Sequence, residues 1–178
     1  MKLELVTSKQ MAAIEQNAVN RGVSGHALME NAGYGIASWI KNNIKGLVKG
    51  KVIVLVGPGN NGGDGLVVAR HLAEWKATVE LILPVQNTAN EDRLSEALNS
   101  GAVLITPDSY RDAIKSSQII IDSFFGTGTN RIIEDPFKKV LELVQYFKTK
   151  NKELIVIAVD LPTGLNSDSG EVDPSTVI

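Results

Sequence analysis

Lys51-Val52-Ile53-Val54-Leu55-Val56 runs without a break into Gly57-Pro58-Gly59-Asn60-Asn61-Gly62-Gly63-Asp64-Gly65. A short apolar run that stops at glycine reads as a buried strand feeding a loop. The same pattern returns twice. Gln118–Ile121 runs into Asp122-Ser123-Phe124-Phe125-Gly126-Thr127-Gly128, and Leu154–Val159 into Asp160-Leu161-Pro162-Thr163-Gly164. Each loop carries a carboxylate. In an open parallel sheet such strand ends lie along one edge, where ligands bind. Three polar loops from distant parts of the chain therefore predict one composite site.

The segments between these strands read as helices. Upstream, Thr7 or Ser8 is placed to cap a helix through about Asn20, with Met11, Ile14 and Ala18 at helical spacing and Gly22 ending it. Ser24 is placed to cap a second helix to about Ile44, with Leu28, Ala32, Ile36 and Ile40 on one stripe. Gly46 and Gly50 bracket the turn into the first strand. Downstream, the spacing predicts helices at Leu66–Trp75, Asn90–Ser100 and Asp108–Ser116, and another from Pro136 to about Lys148. Strands are predicted at Thr78–Leu83 and Ala102–Ile105. This alternation means an α/β domain with a largely parallel sheet. The first two helices precede any strand, so they must pack on a sheet face or on a partner chain. Pro174–Ile178 reads as a strand just beginning, which makes the chain look like a fragment truncated at its C-terminus.

Length and composition narrow the classes. A chain of 178 residues is consistent with one domain, residues 1–178, able to bury a core. With no cysteine, disulfides, thiolate catalysis and cysteine–zinc sites are excluded. The two histidines, His26 and His71, are far apart, which speaks against a histidine-rich metal centre. Net charge is −2 with signs interspersed, so no basic stripe points to nucleic acid. No apolar run approaches the roughly 20 residues needed to cross a membrane, and the N-terminal residues lack a signal-peptide apolar stretch. The expectation is a soluble, cytoplasmic domain.

The first loop matches G-x-G-x-x-G from Gly57 to Gly62, weak alone but set between a strand and a helix. Glycines there relax the backbone and let a ligand approach it, and the helix that follows favours a phosphate or pyrophosphate. Asp64 reads either as the cap of the Leu66–Trp75 helix or as a substrate contact. Asn60 and Asn61 read either as turn residues tolerating left-handed backbone or as ligand contacts. Asp122 closes an apolar strand, and such a charge must be solvated, paired or bound to a cation. Gly126 to Arg131 is donor-rich and suits an anion. Asp160 stands in the same position as Asp122, with Thr163 held between Pro162 and Gly164. For Asp122 the plainer reading is an ordinary βα loop with the acid at its start, and for Asp160 a structural carboxylate bonded to backbone N–H groups. Three carboxylates on one edge repel one another, and either protonation or a cation relieves them. The available ligands are all oxygen, which means a hard ion. Potassium, sodium, magnesium and calcium stay open on residues alone.

These loops together resemble the signature of the NAD(P)H-hydrate epimerases, the YjeF N-terminal domain family. Leu28-Met29-Glu30-Asn31-Ala32-Gly33 resembles a further motif of that family, and the likeness runs in order along nearly the whole chain. The resemblance implies a Rossmann-like three-layer α/β/α sandwich, often a homodimer. It implies an isomerase of cofactor repair that epimerises the C6 hydroxyl of hydrated NADH or NADPH (NAD(P)HX), serving a partner dehydratase, with one potassium ion per subunit. By the same likeness Asn60, Asn61, Gly62, Gly63 and Asp64 contact substrate. Asn61, Asp122 and Thr163 hold the ion. Gly126, Thr127, Gly128, Thr129, Asn130, Arg131 and Ile132 hold substrate phosphate. Asp160 reaches the hydrated ring as the catalytic residue. Thr129 departs from the apolar residue common there. Family members continue beyond Ile178, some into a fused dehydratase. Two other readings compete. One is a nicotinamide-dependent dehydrogenase, which wants an acid at the end of its second strand; Leu83-Pro84-Val85 stands there and Glu80 is mid-strand. The other is a non-catalytic binding or scaffold module, which intact polar loops disfavour.

Overall fold

The computed structural model of the protein describes residues 6–44, 50–86, 88–128 and 132–177. Five strands form one sheet: β1 (Lys51–Val56), β2 (Thr78–Ile82), β3 (Val103–Leu104), β4 (Ile119–Ser123) and β5 (Ile155–Ala158). Their order is β3-β2-β1-β4-β5 and every pairing is parallel. Six α-helices are described: α1 (Ser8–Asn20), α2 (Gly25–Asn43), α3 (Asn60–Glu74), α4 (Glu91–Asn99), α5 (Tyr110–Ser116) and α6 (Phe137–Lys150). The α/β expectation therefore holds.

Strand periodicity divides the core. Val52, Val54, Val56, Ile119 and Ile121 face α2, α3 and α4, where Ile40, Leu66, Val68, Leu72 and Ala97 pack. The alternate residues Ile53, Leu55 and Ile120 face α5 and α6, against Ile114, Leu141, Val144 and Phe147. A strand buried on both faces needs such a continuous apolar run. Thr7 caps α1 through a capping box with Gln10, and Ser24 caps α2. Gly22 follows α1 at φ +94°, the left-handed backbone of a helix stop. Of the two leading helices, α2 seats Ala37 and Ile40 in the core, while α1 buries no residue. Instead Asp168 holds the start of α1, accepting 2.7 Å from Ser8 Oγ.

Three sequence expectations are corrected. The third helix begins at Asn60, not Leu66, so Asn60–Gly65 is helix rather than loop. None of its glycines, nor Gly57 or Gly59, has positive φ. They are small because α3 lies directly on the sheet: a β-carbon on Gly65 would collide with Ser123 Oγ. β4 extends through Asp122 to Ser123, so Asp122 pairs within the sheet, opposite Leu55 and Ala158. Pro174–Ile178 does not begin a strand among its described residues; 174–177 turn back and bury Ser175, Thr176 and Val177. Gly46, part of the expected turn before β1, lies outside the described residues, as does Ile178. The remaining boundaries move by a residue or two, and one-turn 3₁₀ segments, Thr88–Asn90 and Pro107–Ser109, precede α4 and α5.

Candidate active site

β1 leads to strands on one side and β4 to β5 on the other, so the chain reverses direction across the sheet between β1 and β4. That switch point opens a crevice at the strand ends. The segments after β1, β4 and β5 all reach this edge, and hydrogen bonds stitch the last two together.

Asp122 is 1% exposed and Thr163 is fully buried. The Thr163 backbone N–H donates to Asp122 Oδ2 at 2.9 Å, and its hydroxyl to Oδ1 at 2.7 Å. Phe124 N–H adds a 3.3 Å bond to Oδ1. Burial pushes the Asp122 carboxyl upward, while the bonds from Thr163 and Phe124 pull it back. Thr163 Oγ1 also accepts from Phe125 N–H at 3.1 Å. Asp122 is thus more than the start of an ordinary βα loop: it clamps the third loop to the second.

Asp160 sits at φ +64°, a left-handed conformation uncommon outside glycine, though aspartate tolerates it better than most. Its side chain is exposed at the edge, and Oδ2 accepts the Thr127 N–H at 2.8 Å. A β-carbon on Gly126 would collide with that same oxygen and lie 3.3 Å from Asn61 Oδ1. Asn61 and Asp160 therefore flank Gly126 from α3 and from the loop after β5. Both polar side-chain atoms of Asn61 are buried and have no hydrogen-bond partner among the described residues. An amide left so is a costly arrangement unless something polar fills the space.

Asp64 lies one turn along α3 from Asn60 and Asn61. Gly59 is the N-cap, so Asp64 is not the cap. Asn60 and Asn61 are the first two helical residues, not turn residues with left-handed backbone. The Asp64 carboxyl is pushed up to about 6. Burial is the largest cause, followed by repulsion from Asp160 and then from Glu15 of α1; Arg93 of α4 opposes them. Asp64 and Asp160 thus interact across the crevice, and Asp122 joins the same edge through Thr163.

The other sequence-predicted residues fall as follows. Gly62 and Gly63 are buried against neighbouring backbone and side chains, Gly126 and Thr127 are half-buried, and Gly128 and Ile132 are exposed. Thr129, Asn130 and Arg131 lie outside the described residues. Among the described residues no three His, Asp or Glu side chains gather to hold a metal. A cation at this edge would depend on amide and hydroxyl oxygens as well as on Asp122. The orphaned Asn61 amide beside Gly126 and the buried Asp122–Thr163 pair fit a hard ion in that sense.

Sequence reasoning missed Glu15, Asn90 and Arg93. Asn90 is 7% exposed, and its side-chain amide donates to Gly59 O at 3.0 Å, fixing α4 beside the start of α3. Neither Asn90 nor Glu15 carries a motif. Arg93 carries a faint one, a cation in the first turn of a helix.

The family described as YjeF-related protein N-terminus matches residues 25–178. The chain is 36% identical over 179 residues to the NAD(P)H-hydrate epimerase of Yarrowia lipolytica, covering 96% of this chain and 69% of that protein. It is 31% identical over 176 residues to the bifunctional NAD(P)H-hydrate repair enzyme Nnr of Dictyoglomus turgidum, covering 96% of this chain and 33% of that enzyme. It therefore spans about a third of that bifunctional relative. The crystal structure of yeast YNL200c superimposes with a TM-score of 0.83 at 30% identity, covering 98% of this chain and 77% of that one. The parallel sheet, the switch-point crevice and a match over residues 25–178 agree: the chain belongs to the YjeF-related N-terminus family.

Proposed function

We propose that this chain is an NAD(P)H-hydrate epimerase, interconverting the R and S forms of hydrated NADH and NADPH at C6. The observation that carries the reading is the pair Asp64 and Asp160. Two acids share a crevice, and one has its carboxyl raised to about 6. A carboxyl held protonated by its surroundings can serve as the acid beside a second carboxyl group.

The C6 hydroxyl neighbours the ring nitrogen. Asp64, protonated, donates to that oxygen; the C6–O bond breaks, water leaves, and the nitrogen lone pair forms an iminium-type cation. Asp160 stabilises that positive charge. Water then adds to the opposite face of C6, giving its proton to Asp160. Proton passage through solvent resets the two acids. Positioned proton transfer of this kind contributes about 10²–10⁴-fold. The segments around Gly126–Thr127 and the start of α3 hold the diphosphate, which fixes the ring against Asp160.

Asn61, Asp122 and Thr163 are the residues proposed to hold potassium. Such an ion would supply fixed positive charge to offset the carboxylates and the substrate's phosphates. The homodimer is part of the same proposal, supported by Met11 and Ile14 on α1 and Trp39 on α2, which are 43%, 52% and 56% exposed. A dehydratase, separate or fused as in the bifunctional relatives, would consume the epimer formed here. The dehydrogenase reading loses ground: Glu80 pairs with Lys51 at 2.9 Å at a mid-sheet position and does not reach the crevice edge. The test is proton NMR of purified S-epimer of hydrated NADH. Appearance of the R-epimer signal faster than in buffer supports the reading; equal rates with and without protein reject it.

A further inference from the structure

Among the described residues, Arg93 is the one charged neighbour of Asp64 that acts against its proton affinity. It stands third in α4, after Glu91 and Asp92. A cation in the first turn works against the helix dipole, whereas the two acids before it work with the dipole. Local helix energetics therefore gives no reason for an arginine at this position.

Packing places it toward the crevice. Asn90, Arg93 and Ala97 recur at helical spacing on one side of α4. Asn90 binds the carbonyl of Gly59, and its Oδ1 lies against Gly63 of α3. Ala97 is fully buried in the core beneath α3. Arg93 is half-buried, yet makes no ion pair within 4 Å among the described residues, unlike Arg70, which pairs with Glu30 and Glu74. A guanidinium partly withdrawn from water, with no carboxylate within 4 Å among the described residues, is suited to receive an anion, and its fork matches phosphate.

Resting on the epimerase reading, the structure assigns Arg93 as a substrate contact that binds a phosphate of the hydrated dinucleotide on the α4 side of the crevice. The sheet order puts α4 on the β2–β3 side and Asp160 on the β5 side. The ring at Asp160 and a phosphate at Arg93 would thus span the switch point, with Asp64 between them. Two phosphates share this chemistry: the bridging diphosphate and the 2′-phosphate of the NADPH form.

The experiment is calorimetric titration of wild-type protein, Arg93→Ala and Arg93→Lys with ADP-ribose and with its 2′-phosphate, beside KM and kcat for both hydrated cofactors. Arg93→Ala should weaken binding about tenfold or more, raise KM by a similar factor and leave kcat within a few-fold. Arg93→Lys should recover part of the loss. A loss with both probes assigns the diphosphate, and a loss confined to the 2′-phosphorylated probe assigns that group. Thermal melting should be unchanged in both variants. Equal affinity and KM in wild type and Arg93→Ala overturns this inference alone. Wild-type protein that epimerises nothing and binds neither probe overturns the epimerase reading and the inference together.

Discussion

The backbone N–H of Thr127 donates a 2.8 Å hydrogen bond to Oδ2 of Asp160, joining the loop after β4 to the loop after β5. It ties the segment proposed to hold phosphate to the acid proposed to act on the ring. Asparagine in place of Asp160 keeps an oxygen for that bond and accepts left-handed backbone, but loses the charge. Asp160→Asn should therefore fold normally and bind ADP-ribose within a few-fold of wild type. Its turnover should fall about 10²–10⁴-fold. Steady-state kinetics beside calorimetry checks this, and wild-type turnover in the variant removes Asp160 from the chemistry.

Asp64 gives a pH prediction. Its carboxyl, raised from 3.8 to about 6, stays protonated up to that range. A step that needs the protonated acid declines as pH rises through about 6. Asp64→Asn should be slow and should lack that limb of the kcat profile. Stability moves oppositely. The folded state holds this proton more tightly than the unfolded chain, so ionised Asp64 weakens the fold above about 6. Asp64→Asn should melt higher than wild type at pH 7–8. The advantage should shrink as pH falls through 6 and vanish below about 4. Melting curves across pH measure it directly.

Gly126→Ala separates geometry from folding. The new methyl collides with Asp160 Oδ2, the free end of a side chain that can swing away. Folding should change little, but swinging breaks the bond to Thr127. We expect turnover to drop about tenfold or more with a near-normal melting temperature. Normal turnover would mean that the Thr127–Asp160 contact does not position the acid.

Potassium should act through Asn61. Replacing choline chloride by potassium chloride at constant ionic strength should raise the melting temperature of the wild-type protein. Saturation a hundredfold above Kd corresponds to about 2.7 kcal/mol. Asn61→Ala and Asp122→Asn should show no such response. An equal response in all three proteins would place the effect elsewhere.

Much of this fold was legible because strand–loop–carboxylate segments repeat at Val56, Ile121 and Val159, and parallel topology brings their ends together. What escaped was tertiary override. Gly62, Gly63 and Gly65 each disfavour a helix by about 1 kcal/mol, so Asn60–Gly65 reads as loop. Contact with the Gly57 backbone, with Met29 of α2 and with Ser123 of β4 demands that small surface and makes the segment helical. Asp122 reads as the residue after its strand, since a charge inside β4 needs partners that only Thr163, far along the chain, provides. Glu15 acts on Asp64 from a helix whose local sequence says nothing about the crevice, and Arg93 with only the faint signal of a cation in a first turn.

The central claim is that water leaves and returns at C6 between Asp64 and Asp160. The direct measurement is mass spectrometry of S-epimer of hydrated NADH incubated with the protein in ¹⁸O-labelled water. The account predicts label in the C6 hydroxyl of both epimers at the rate of epimerisation, and a far slower rate with Asp160→Asn. Label entering no faster than in protein-free buffer, or epimers interconverting without label, would contradict it.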